Sequence, residues 1–255
     1  ILGDTVGREL RRAYQVAPSG ARQVARQSTV RDFRPKRPLS LGDAPGLEQV
    51  NEGGEFKSGT IDESGESYSI ATFGKIFGIT RQAMVNDDLS AFQQIPARMG
   101  AAAKAFEANQ LVAKIIANPN MSDGVAVFNA ATHKNQKAAT GQAVAELTTD
   151  LTAARLAMRK QTNISGGLID VTPKYVLVPA DLETAMEQAL SAVQAAKTTD
   201  TNPFAKLELL VEPRFTSATQ WYVVADPAMI DGLDRPEAIE GIGAFLEKRP
   251  PVWPT

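Results

Sequence analysis

The chain has no cysteine and a single histidine in 255 residues. Without thiols there is no disulfide, no thiolate nucleophile and no cysteine-ligated metal, a composition that suits assembly in the cytosol. The lone histidine, His133, has no companion ligands at helical or hairpin spacing, so it reads as a loop residue hydrogen-bonded nearby rather than as a metal ligand or general base. No apolar run approaches the roughly 18 residues needed to cross a bilayer, and no signal-peptide pattern opens the chain, so nothing marks it for a membrane or for export. A Walker loop, a GxGxxG after a strand, a GxSxG elbow, an HExxH and an EF-hand loop are all missing. The acid pairs Asp62-Glu63 and Asp87-Asp88 have turn and cap explanations, and Gly53-Gly54 and Gly166-Gly167 read as hinges or caps. These absences predict a non-enzyme, with no catalytic, cofactor-binding or metal-binding residue and no cofactor.

What is present is an ordinary core content, 43% hydrophobic, and a net charge of −2 that is unevenly laid out. Up to Arg37 nine basic residues stand against three acidic ones, whereas between Asp43 and Glu66 seven acidic residues accompany Lys57 alone. A basic arm followed by an acidic stretch invites pairing between copies, strongest at low salt. Residues 1–26 have the spacing of an amphipathic helix broken at Pro18-Ser19-Gly20. Residues 29–45 carry too many prolines and too little period for a packed element, and read as an extended arm. The arm's cationic candidates are Arg22, Arg26, Arg31, Arg34, Lys36 and Arg37. Two uses stay open for them: contact with DNA phosphates, which needs charge without fixed geometry, and docking on a neighbour's acidic hairpin. The first residue is Ile, which reads as a fragment or as the product of removing an N-terminal segment.

Residues 53–118 are the most informative stretch. Strand-like runs at 55–61 and 67–80 flank the cluster Asp62-Glu63-Ser64-Gly65-Glu66, predicting a long hairpin that turns there. Near its tip it offers few apolar side chains, Phe56, Ile61, Tyr68 and Ile70, too few to stand alone in water. It is therefore expected to lie on another copy of the chain, with Lys57 and Phe73 in the same contact surface. Asn86, Asp87 and Asp88 then supply cap chemistry, and Leu89, Phe92, Ile95, Met99, Ala103, Phe106, Ala113 and Ile116 recur at helical spacing. Pro96 predicts a kink, or a short helix over 87–94 and a fresh start for one that runs to Asn118, a rod about 34 Å long. The alanines at 101, 102, 103, 105 and 108 predict close packing on one of its faces.

Residues 119–141 are polar and read as a loop with a short strand at 125–128. A helical period returns at Leu147, Leu151, Ala154 and Met158 and stops at 163–167. There follow a strand at 174–178, a helix capped by Asp181 with Leu182, Met186, Ala189 and Val193 on its apolar face, and a polar loop at 197–203. Strands at 207–211 and 220–225, joined by a turn at 213–219, complete a compact α/β unit.

The order and length of these segments resemble the major capsid proteins of tailed bacteriophages, most closely the Mu-like major head subunits (the gpT-like group), which share the Johnson fold with encapsulins. The resemblance is carried by EGGEFKSGTIDESGESYSIATFGKIFGITRQAMVNDDLSAFQQIP, VFNAATHKN and YVLVPADLETAMEQAL, with their spacing over residues 32–240. It implies an α+β fold with an N-terminal arm (1–48), an extended E-loop hairpin (49–85), a P-domain with a long spine helix (86–146), an A-domain (147–230) and a short, atypical return to the P-domain (231–255). The function implied is that of a structural subunit that self-assembles, through hexamers and pentamers, into the icosahedral head of a tailed phage or prophage-derived particle enclosing DNA. Its place would be the virion, assembled in the bacterial cytoplasm, with neighbouring capsid subunits and portal, scaffold or decoration proteins as partners and no membrane. Two other readings stay open: an encapsulin-type nanocompartment shell, and a nucleic-acid-binding module acting through the basic arm.

Overall fold

The computed structural model describes residues 2–16, 20–30, 32–41, 63–74, 78, 81–82, 94–163, 165–191, 203–229 and 234–238. In chain order its elements are α1 (Leu2–Val16), a 3-10 turn (Ala21–Val24), β1 (Arg26–Val30), β2 (Leu39–Leu41), β3 (Glu63–Gly65), α2 (Ile95–Ala117) and α3 (Val144–Arg159). Then come β4 (Pro173–Val178), a 3-10 turn (Ala180–Leu182), α4 (Glu183–Ser191), β5 (Glu208–Val211), β6 (Tyr222–Ala225) and β7 (Asp234–Ala238).

Val176, Leu177 and Val178 form an unbroken apolar run because β4 is the middle strand of its sheet and both of its faces are covered. Strand alternation sends Val176 and Val178 into a core with Leu147 and Leu151 of α3, Met186 and Ala189 of α4, Leu182 and Phe204. Leu177 points the other way, to Val24 and Leu210, with Ile115 of α2 and Tyr222 packed beside them. β5 runs parallel to β4, Val178 opposite Val211, and the chain reaches it by the crossover that holds α4. β6 runs antiparallel on the other side, Leu177 opposite Tyr222. The two strands expected at 207–211 and 220–225 are therefore not neighbours: β4, with the longer apolar run, lies between them.

α2 starts where Pro96 predicts, in a first turn that needs no N–H from it, and ends at Asn118, which takes the left-handed conformation (φ 44°). Its buried face is not the expected stripe. Gly100, Ala108, Leu111 and Val112 are buried, while Met99, Phe106 and Ile116 are exposed, as are the alanines at 101–103. Small residues decide the choice. Ala21 and Ala25 pack on Leu111 and Val112, and Gly100 lies under α1, where a Cβ would collide with the Leu10 carbonyl oxygen and crowd Ala13.

Other expectations are corrected by pairing partners that lie far away in sequence. The cluster expected to turn at 62–66 contains a strand, because β3 finds β2 as an antiparallel partner, Ser40 opposite Ser64, and the partner outweighs the poor strand propensity of acidic residues and glycine. The pairing continues to a bridge between Lys36 and Tyr68. The stretch read as an unpacked arm thus holds β2 and the end of β1, which pairs in parallel with β7, Arg26 opposite Asp234. Hairpin residues 55–61, and residues 87–93 of the helix expected over 87–94, lie outside the described residues. The strand expected at 125–128 is a single bridge, Asn120 to Ala126, within a loop. α3 begins at Val144, ahead of Leu147, where Glu146 accepts the Ala143 N–H at 3.0 Å. Asp181 is not a cap: extended Pro179 precedes the 3-10 turn, its carbonyl accepts the Leu182 N–H at 3.1 Å, and Asp181 sits inside the first turn.

Candidate assembly surfaces

The basic segment is drawn into the subunit by Gly20, where a Cβ would stand 2.9 Å from the Val211 carbonyl oxygen. Beside it the Ala21 N–H donates to Oε2 of Glu212 at 3.1 Å. Glu212 is fully buried, and its Oε1 accepts Nη1 of Arg214 at 2.6 Å, so the carboxylate is paired and hydrogen-bonded on both oxygens. One turn on, Nη1 of Arg22 lies 3.1 Å from Oε2 of Glu107 on α2, the Tyr14 hydroxyl donates to the same oxygen at 2.9 Å, and the guanidinium stands 5.0 Å over the Tyr14 ring. Nζ of Lys104 donates to the Gln15 carbonyl at 2.7 Å, and burial, followed by the nearby Arg22 charge, lowers its pKa.

The six cationic candidates are consequently not brought together. Arg22 is committed to α2, Arg26 is in β1, and Nε of Arg37 donates to the Gly65 carbonyl at 3.2 Å. Lys36 is tied through its backbone to Tyr68, with its side chain exposed. Arg34 stands 3.9 Å from Asp32 with 85% of its side chain open to solvent. Arg31 lies outside the described residues.

Of the expected hairpin contacts, Phe56, Lys57 and Ile61 also lie outside the described residues. Tyr68 exchanges backbone hydrogen bonds with Lys36 and brings its hydroxyl within 3.4 Å of Ser28 Oγ; Ile70 is half-buried. Phe73 is 67% exposed, and its ring lies 4.8 Å from that of Phe106 on the outer face of α2. The apolar surface left by α2 is therefore continued by an aromatic from the 63–74 segment. Glu66, which sequence reasoning passed over, accepts both the N–H and the hydroxyl of Ser122, at 2.8 and 2.7 Å.

His133 is hydrogen-bonded within its own loop, and among the described residues no three His, Asp or Glu side chains group as metal ligands. Lys174 and Asp226 meet at 2.6 Å, which raises the lysine pKa and lowers the carboxylate's, helped at Asp226 by the Ala228 N–H. The Tyr222 hydroxyl is buried with no hydrogen-bond partner among the described residues, its ring between Phe128 and Phe215 at 5.1 and 5.4 Å, and burial pushes its pKa up. Among the described residues no helix is long and apolar enough to cross a membrane. Of the anchoring residues that sequence reasoning missed, Glu212 alone left a trace: it directly follows the apolar strand run Leu209-Leu210-Val211 and stands two residues before Arg214.

Solved structures with this arrangement are shell subunits. The bacteriophage JBD30 capsid matches with a TM-score of 0.60 at 17% identity, covering 78% of this chain and 91% of that one. The procapsid of the same phage gives 0.56 at 16% identity over 84% and 97% of the two chains. Its capsid decorated with minor capsid protein trimers gives 0.54 at 19% identity over 79% and 92%. The fold is thus of the phage-capsid class, α+β with a small sheet. Comparison of the sequence with curated proteins finds no match. The family model described as phage capsid protein matches residues 64–251, and the chain belongs to that family: it is a structural subunit of an icosahedral phage head, a virion component.

Proposed function

We propose that the chain is a major head subunit of the Mu-like, gpT-like group with Johnson-fold architecture. In this reading 1–48 is the arm, 49–85 the E-loop, 86–146 and the short 231–255 stretch the P-domain, and 147–230 the A-domain. Subunits tile as hexamers and pentamers around packaged DNA, after assembly in the bacterial cytoplasm and with portal, scaffold or decoration proteins as further partners. The observation that carries the reading is the exposed apolar face of α2, Met99 and Phe106, which lies beside Phe73 on a helix whose other face is already filled. A neighbour's hairpin, with Phe56, Lys57 and Ile61 near its tip, is the natural cover for such a stripe.

The structure of the arm bears on its two uses. Arg22 and Arg37 are occupied within the subunit, so among the described residues the exposed candidates for contact with DNA or with a neighbour's acids are Arg34 and Lys36. Electron microscopy of the purified protein tests the proposal: closed shells or six- and fivefold rings are expected, and a small monodisperse oligomer overturns it. Nuclease-protected DNA inside particles recovered from cells separates a phage head from a nanocompartment loaded with protein.

A further inference from the structure

The loop between α2 and α3 is closed by polar side chains. Asn118 donates to the Phe128 carbonyl at 3.1 Å and accepts its N–H at 2.7 Å, while Asn135 donates to the Val127 carbonyl at 2.7 Å and accepts the Asn129 N–H at 2.8 Å. Within this frame lies His133, its side chain 19% exposed. Nδ1 is 2.9 Å from the Ala126 carbonyl oxygen and 3.1 Å from that of Val127, and Nε2 is 2.9 Å from Oδ2 of Asp123. Every one of these partners is an acceptor. A neutral imidazole has one N–H and would set a lone pair against an oxygen on its other side, whereas the imidazolium donates from both nitrogens.

The same loop has two attachments. On one side the Phe128 ring rests 5.1 Å from that of Tyr222 on β6. On the other, Asp123, whose Oδ1 also accepts the Val125 N–H at 2.9 Å, is preceded by Ser122, which donates twice to Glu66 just beyond β3. We propose that His133 is a proton-dependent clasp: as the imidazolium it holds Asp123 and the 122–128 turn in the shape that grips Glu66, and on losing its proton it loosens that grip at the end of β3, which stays paired with β2.

The charges around the clasp are few. Asp123 is the titratable group facing the ring; from the β3 side Glu66 is next, reached through Ser122; and from beyond α3 neutral Gln161 donates to the His133 carbonyl at 2.8 Å. The hydrogen bond to Asp123 lifts the His133 pKa above its ordinary value of 6.5, and the bonds from Val125 and then His133 hold Asp123 below 3.8. A raised histidine pKa contributes stability that is complete below the unfolded value and is lost as pH rises through the folded one. A lowered aspartate pKa contributes stability that is lost only as pH falls through it. The clasp is therefore closed between these two folded-state values and opens on the alkaline side.

A single histidine makes the test unambiguous. Nitrogen-15 multiple-bond correlation spectra of the full, unassembled chain, taken from about pH 5.5 to about 9.5, report the ring's protonation, and amide exchange protection of residues 63–68 and 122–128 is followed alongside. The ring is expected to titrate with a midpoint above 6.5, both nitrogens carrying protons below it, and protection in both segments is expected to fall about tenfold through that midpoint. Asp123→Asn should move both transitions to lower pH together, and Glu66→Ala should leave the ring midpoint in place while residues 63–68 lose their pH dependence. A ring midpoint at or below 6.5 in the folded chain overturns the proposal, as does protection at 63–68 that stays flat through a raised midpoint. The wild-type titration decides between these outcomes even where Asp123→Asn fails to fold.

Discussion

The two apolar faces of α2 obey the same period and have different fates. One receives Ala21 and Ala25 against Leu111 and Val112, and Ile115 joins the core beneath the sheet. The other, Met99 and Phe106, remains exposed beside Phe73. Periodicity identifies a helix without saying which stripe belongs to the subunit's own core. What separates the faces is the company of small residues: Gly100 and Ala108 let backbone approach on the inner side, whereas Met99 and Phe106 on the outer side stay partly open. On the function proposed above, apolar surface divides between folding and assembly, and this helix would carry both shares.

Substitution on each face tests that division. Leu111→Ala should destabilise the subunit by about 2–5 kcal/mol in denaturant unfolding. Phe106→Ala should cost about 1 kcal/mol or less there, since its ring is already partly hydrated, yet should strongly reduce the yield of closed shells. Equal stability losses with unchanged assembly would erase the distinction between the faces. Next in size is Glu212→Ala, which leaves the Ala21 N–H and Arg214 without their carboxylate and should cost about 1–3 kcal/mol, with earlier proteolysis around residues 20–25. If neither changes, the inner face is held by apolar packing alone. Asp181→Ala should cost only about 0.3–1 kcal/mol, the worth of a carboxylate in a first turn, because the side chain is not the cap. Smallest is Tyr222→Phe, which removes a hydroxyl with no partner among the described residues; stability should stay within about 0.5 kcal/mol or rise slightly, measured by thermal unfolding.

Local chemistry made much of the fold legible. Pro96 and Asn118 bound α2 on both sides, the run Val176-Leu177-Val178 marked a strand, and the alternation of helices and strands after residue 144 gave the α/β unit in order. The strand pairings were hidden. β3 is composed of residues that favour turns and exists because β2, across a long intervening segment, offers it a ladder. The sheet order β5-β4-β6 likewise follows from which strand can be buried on both faces, a property of the assembled layers. Of the site, the single histidine was read correctly as locally bonded, but its double-acceptor setting depends on where two loop carbonyls and Asp123 come to rest. The basic arm misled for the opposite reason: charge counted along the sequence does not reveal that Glu107 awaits Arg22.

The parallel pairing of β1 with β7 sets an order of events during synthesis. Arg26 and Asp234 meet across about 200 residues of chain, so this sheet cannot close until nearly all of the matched region has left the ribosome, and contacts of such long range form late. The α2–α3–β4 core can form earlier, from segments closer together in the chain. A nascent or interrupted chain would therefore hold a folded centre with an unpaired β1. The pairing acts as a completion mark: it withholds the finished amino-terminal strand from any copy whose 234–238 segment has not yet been made.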